Sequence, residues 1–149
     1  TMVVGDLSRK KGGPLAGHAS HQSGRDADLG FYMKNAKGKR VAPKRFVAFD
    51  GSGKAKDGSG FRFDDYANWL LVQSWIRDHR AGISHIFISR PLRKRLLDFA
   101  RARPAFKQYL PEAERLLKQP EDSTAHDDHF HVRISCPKRQ AEICHEHPR

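Results

Sequence analysis

No stretch of this sequence approaches the roughly 20 apolar residues that a membrane-crossing helix requires. The most apolar segment, around Trp69 to Ile76, is interrupted by Gln73 and Ser74. A membrane-spanning helix is therefore excluded. Cysteine is scarce: Cys136 and Cys144 are the only two in 149 residues, too few for a disulfide-dense scaffold. No internal repeat is visible. Acidic residues are outnumbered, with 17 Asp plus Glu against 28 Lys plus Arg and a formal net charge of +11.

The residues that are present bound the class. A length of 149 residues, 38% hydrophobic and 30% charged with nine Phe and two Trp, reads as one globular domain spanning 1–149 with a real core. The positive charge is localised: residues 34–62 hold nine basic side chains against two acids, and residues 90–103 six against one. Such a surface draws nucleic acid, anionic wall polymers or lipid head groups. It is equally the solvated face that keeps a protein soluble. Charge alone does not choose among these.

Cys136 and Cys144 are eight positions apart, with Pro137 after the first. The pair suits a small disulfide-closed loop in an oxidising compartment, or two free thiols in a reducing one. With His145 and His147 it could be read as a zinc knot, but the long first spacing argues against that. The disulfide is the preferred reading. No signal peptide is visible, and the chain opens at Thr1 without an initiator Met, as a mature or trimmed form would.

Periodicity predicts an α+β fold. A short extended segment at 3–7 precedes an irregular Gly, Ser, Lys and His loop over 8–25. From Asp26 the pattern alternates, Ala27, Leu29, Phe31 and Met33 against Asp26, Asp28, Gly30 and Tyr32, which predicts a half-buried strand. Residues 45–49 predict another strand, and 50–60 a mobile surface loop. Asp64 is a candidate N-cap for a helix to about Arg80, with Tyr66, Trp69, Leu70, Gln73 and Ile76 as its buried stripe. Residues 83–89 predict a strand. Pro91 opens a basic helix with Leu92, Leu96, Phe99 and Ala100 facing inward, and a short helix over 111–118 and a strand over 129–134 follow. The expected architecture is a small antiparallel sheet with helices packed on one side and long loops.

Nine His are present, and their placement is informative. A period of two puts His129 and His131 on one strand face, with Phe130, Val132 and Ile134 on the other. Two imidazoles thus project side by side from a rigid element, as a metal site needs. A solvent-facing polar face, with Arg133 on the same side, is the plainer reading. A second cluster runs His18, Ser20, His21, Gln22, Gly24, Arg25, Asp26, Asp28. Its Gly-containing turn would carry His21 back toward the strand bearing Asp28. Hydrogen bonding of Ser20, Asp26 and Asp28 to loop amides explains each residue singly, but not the combination. Three protein ligands with an open fourth position make a catalytic zinc site. His21, Asp28 and His131 would supply them.

The stretch Gly5-Asp6-Leu7-Ser8, then Gly12-Gly13-Pro14-Leu15-Ala16-Gly17-His18-Ala19-Ser20-His21-Gln22-Ser23-Gly24-Arg25-Asp26-Ala27-Asp28-Leu29, resembles the penicillin-insensitive murein endopeptidases. These are a branch of the zinc peptidases that also includes lysostaphin-type enzymes, D-Ala-D-Ala carboxypeptidases and the sonic hedgehog domain. His126-x-x-His129-x-His131-Val132-Arg133, followed by Cys136-Pro137, looks like the second signature of that family. The matching segments cover about a quarter of the chain in the right order; residues 34–125 resemble nothing specific.

The resemblance implies one zinc ion per chain on His21, Asp28 and His131, with His126 and His129 assisting the chemistry and His18 and Asp26 orienting ligands through hydrogen bonds. Such an ion polarises a substrate carbonyl and acidifies a bound water. With no His-Glu-x-x-His helix to supply a glutamate base, His129 is the best general base. His126 would stabilise the oxyanion or protonate the departing amine, and the two roles could be exchanged. The expected function is zinc-dependent hydrolysis of peptidoglycan peptide crosslinks, at D-alanyl to diamino acid amide bonds, in the periplasm or outside the cell, with anionic wall polymers as further partners. A metal-dependent nuclease is the runner-up, set aside by the match at both ends. A non-catalytic wall-binding or nucleic-acid-binding module with a zinc site is the third reading.

Overall fold

Two strands built from the motif segments form the centre of the molecule. In the computed structural model, which describes residues 2–16, 21–120, 125–140 and 144, β2 (Asp26–Gly30) pairs antiparallel with β8 (His129–Ile134). On the outer side of β2 lies β1 (Val4–Leu7), an exposed edge strand. On the other side of β8 lies β6 (Ile83–Phe87), followed by β7 (Leu117–Lys118), giving the order β1-β2-β8-β6-β7. Among the described strands of this sheet every pair is antiparallel except β6 with β7, which run parallel, joined by a helical crossover. A second sheet holds β3 (Met33–Lys34) flanked by β4 (Arg40–Val41) and β5 (Arg62–Phe63).

The three helices, α1 (Asp65–Arg77), α2 (Arg90–Arg101) and α3 (Leu110–Leu116), bury one face of the large sheet. Their Trp69, Val72, Leu92, Leu96, Leu97, Ala100, Ala113 and Leu116 share a core with Ile86, Phe130 and Val132 of the strands. Phe130 is its pivot, with the rings of Phe31 and Trp75 set edge-on at 4.7 and 5.4 Å. Phe130 and Val132 point into this core, so the alternation of β8 turns His129 and His131 to the opposite face. This is the expected α+β arrangement with helices on one side. None of the described helices is long and apolar enough to cross a membrane.

Asp64 caps α1 as expected, its carboxylate accepting from Ala67 N at 3.1 Å. The same buried carboxylate accepts from Arg40 Nε at 2.7 Å and lies 3.3 Å from Lys34 Nζ, tying β3 and β4 to the helix start. Burial raises its pKa, but these hydrogen bonds and charges outweigh burial and hold it below the usual carboxylate range. That stabilisation is present above the ordinary carboxylate pKa and is lost as pH falls through the lowered value. Asp64→Ala is expected to cost about 1–2 kcal/mol in chemical denaturation, and Asp64→Asn, which keeps a cap acceptor, less.

Several expectations are corrected. The buried stripe of α1 runs through Ala67, Asn68, Trp69 and Val72, while Tyr66 and Leu70 remain 46% and 38% exposed. Asn68 is buried because its side chain accepts from Tyr32 N at 2.9 Å and donates to Tyr32 O at 2.8 Å, pinning the helix to the chain between β2 and β3. The helix ends at Arg77, not near Arg80. Residues 45–49 form no strand; Phe49 makes only an isolated bridge with Ala55. Residues 50–60 are a hydrogen-bonded turn rather than a loose loop, since Asp50 Oδ1 accepts from Ser52 N and Lys54 N, and Ala55 N donates to Phe61 O. The strand from Asp26 stops at Gly30, and its acidic side is the more buried one. Cys136 and Cys144 form the expected disulfide.

Candidate active site

The site begins with strand register. Pairing of β2 with β8 sets Asp28 directly opposite His131, Asp26 opposite Arg133, and Gly30 opposite His129. Directly paired residues share a sheet face, so the carboxylate of Asp28 and the imidazole of His131 meet on the side away from the helices. His21 arrives from the loop. Gly13 N donates to Gln22 O at 2.9 Å, Gly24 N donates to Ser8 Oγ at 2.7 Å, and Gly24 adopts φ 75°, which turns the chain into β2. His21 is thereby buried completely against Asp28.

Three ligand-type side chains converge there. Asp28 Oδ1 lies 3.2 Å from His21 Nε2 and 3.6 Å from His131 Nδ1, and the two imidazole rings meet edge-on at 4.7 Å. One donor atom from each of His21, Asp28 and His131 lies within 4.8 Å of the others. Burial pushes the Asp28 pKa up, but hydrogen bonds from His129 and His21 outweigh it and hold the carboxyl well below the ordinary range. Asp28 is an anion at neutral pH. On its far side His131 Nε2 lies 2.8 Å from Asp26 Oδ1. A carboxylate there accepts the Nε2 proton and leaves the Nδ1 lone pair facing Asp28. An anionic carboxylate with two imidazole nitrogens is a donor set that fits a divalent transition metal.

His126 and His129 stand beside this triad. The carbonyl of His126 accepts from Ser89 N at 2.7 Å, and that of Asp127 accepts from Phe49 N at 2.8 Å, so the segment entering β8 is pinned from two sides. The His126 ring lies 5.2 Å from that of His129, 5.5 Å from that of His131 and 5.8 Å from that of Phe87. His129 places Nδ1 2.5 Å from Asp128 Oδ1 and Nε2 3.4 Å from Asp28 Oδ1.

The two imidazoles differ electrostatically. Burial, then the neighbouring His129 and His131, lower the His126 pKa to about 4. Burial acts downward on His129 too, but its bonds to Asp128 and Asp28 prevail and raise it to about 9 in the metal-free site. His126 is neutral where His129 holds a proton. Asp128→Asn is therefore expected to move the His129 titration of the metal-free protein down toward the ordinary value of about 6.5, read from its ring resonances.

The structure brings together His21, Asp28, His131, His129, His126 and Asp26; His18 lies outside the described residues. Three contributors went unassigned in the sequence. Asp128 belongs to the second motif, but neighbours along a strand face opposite ways, and only the bend before β8 lets it reach His129. Phe87 pairs with His131 across β6 and β8, a register invisible to local pattern. Phe46 stacks on His129 at 4.9 Å with 19° between the ring planes, from a segment with no motif.

Comparison with known proteins places the chain in a family. A penicillin-insensitive murein endopeptidase of Haemophilus influenzae is 27% identical over 148 aligned residues, covering 92% of this chain and 44% of that protein. The chain thus spans less than half the length of the relative it matches. The family model described as penicillin-insensitive murein endopeptidase matches residues 1–149, and the chain belongs to that family.

Proposed function

We propose that residues 1–149 form one zinc metallopeptidase domain that hydrolyses D-alanyl to diamino acid amide bonds in the peptide crosslinks of peptidoglycan, and that it works in the periplasm or outside the cell. The observation that carries this reading is the convergence of His21, Asp28 and His131 donor atoms within 4.8 Å, with His129 Nε2 3.4 Å from the same Asp28 oxygen. Family membership supplies the substrate class. The excess of 28 basic over 17 acidic side chains suits approach to an anionic wall.

In this reading His21, Asp28 and His131 would hold one zinc, and Asp26 orients His131. The ion, when bound, polarises the scissile carbonyl and acidifies the attacking water. Asp28, once it serves as a ligand, would no longer hold a proton on His129, and His129 would then accept the proton of that water at Nε2 while Asp128 holds Nδ1, an arrangement that fixes the tautomer and supports the imidazolium that forms. His126, kept neutral by burial, donates a hydrogen bond to the oxygen that gains negative charge. His129 then returns its proton to the departing amine. Among the described residues three donors converge, where a structural zinc site would be closed by four protein ligands, which favours catalysis over a binding module.

Digestion of purified crosslinked muropeptides, with products identified by mass, tests this. Cleavage at the D-alanyl bond is expected to stop with a chelator, return with zinc, and be indifferent to β-lactams, since no acyl-enzyme forms. Undiminished cleavage in chelator, or a covalent penicilloyl adduct, would refute the mechanism.

A further inference from the structure

We propose that Phe46 is a positioning residue for the reaction: its ring, seated on two glycines of the sheet, holds the plane of His129 so that Nε2 faces the metal ligands. The inference rests on the function proposed above and adds a residue that neither motif contains.

The segment carrying Phe46 belongs to no strand. Val47 and Phe49, at 2% and 1% exposure, are in the core, whereas Phe46 is half-buried and takes no part in it. Its ring lies nearly parallel to that of His129, with 4.9 Å between centroids. Beneath it lie two glycines, Gly5 and Gly30. A Cβ at Gly30 would come 3.1 Å from Phe46 Cδ1 and 3.2 Å from Val3 Cβ, and one at Gly5 would come within 2.4 Å of Phe46 Cζ. Neither glycine has a positive φ, so backbone conformation does not call for glycine at either place. Room for the ring does. Gly30 is also the direct cross-strand partner of His129, which sets the ring beside the imidazole.

The stack complements the other restraints on His129. Asp128 and Asp28 hold the two ring nitrogens, but two points fix only an axis and leave the ring plane free to tilt about it. A parallel aromatic face removes that freedom and shields one side of the imidazole from water. The Phe46 segment is itself fastened to the catalytic strand's approach, through Phe49 N to Asp127 O at 2.8 Å and Lys56 Nζ to Asp127 Oδ2 at 2.6 Å.

The test uses Phe46→Leu and Phe46→Tyr, each alone and combined with His129→Ala, in the full zinc-loaded chain. Phe46→Leu is expected to bind one zinc and fold, with kcat lowered about tenfold and KM changed less than about twofold. Phe46→Tyr should restore most of kcat. In the His129→Ala background Phe46→Leu should cost nothing further, because its effect passes through that imidazole. The His129 ring resonances should lose their aromatic ring-current shift in Phe46→Leu, while those of His126 and His131 stay in place. Equal kcat losses in both backgrounds, or His129 resonances unmoved by Phe46→Leu, would overturn the proposal. Should Phe46→Leu not fold, Gly30→Ala, which crowds the ring from below, must displace the same resonances or the proposal fails. If the wild-type chain cleaves no crosslinked muropeptide, the proposed function falls, and the resonance comparison still decides whether Phe46 holds His129.

Discussion

Replacing His129 with alanine is expected to leave metal bound and the chain folded while lowering muropeptide turnover by about 10²- to 10⁴-fold, the contribution of a positioned general base. His129 is the imidazole whose Nδ1 is already held by Asp128 and whose Nε2 faces the ligand cluster. It lies on the same strand face as His131, two residues away, so one ring can bind the ion while the other reaches the reacting water. The alternative role, a fourth metal ligand, gives the opposite signature, with metal released from His129→Ala. Metal content, folded fraction and turnover measured together separate the two. A folded, metal-loaded variant with near-normal turnover would remove His129 from the mechanism.

Substitutions at the ligands should act on the metal first. His21→Ala, Asp28→Ala and His131→Ala are each expected to release the ion and abolish turnover. Asp26→Ala, which removes only the carboxylate behind His131, should weaken metal binding about 10- to 100-fold. The ordering follows from the geometry: the three proposed donors lie within 4.8 Å of one another, and Asp26 reaches His131 from behind. Competition titration against a chelating dye and elemental analysis of the purified variants measure both effects. Full occupancy in all three ligand variants would refute the assignment. Asp28→Ala carries a second consequence, because its carboxylate is one of the two that hold the His129 proton. The His129 titration of the metal-free protein should fall in this variant as well.

The sequence was most legible where chemistry depends on near neighbours. The bounds of β8 and the N-cap of α1 came out as expected, since alternation and capping are local. The inward face of α2 came out as expected for the same reason, with Phe99 packed half-buried against the core and Leu97 buried in addition. Residues 45–49 failed because a strand needs a partner: Val47 and Phe49 are buried, but by packing in the core and not by strand pairing. The stripe of α1 held at Trp69 and Ile76 but not at Tyr66 and Leu70, because the helix is turned by Asn68, which is buried by the two hydrogen bonds it makes to Tyr32.

The sequence by itself determined which residues share a face. A period of two settles that His129 and His131 project together, and that Asp26 and Asp28 do, whatever surrounds them. It also supplied the donor types, imidazole and carboxylate, that make a metal centre the natural reading. Tertiary structure alone decided that these faces meet, through the register that puts Asp28 opposite His131. It decided too that the acidic side of β2 is the buried one, that Asp128 bends back to His129, and that Phe46 lies against that ring. The physical reason is that periodicity is fixed by the geometry of one backbone, whereas register, burial and stacking are set by which distant segments gain most from packing together.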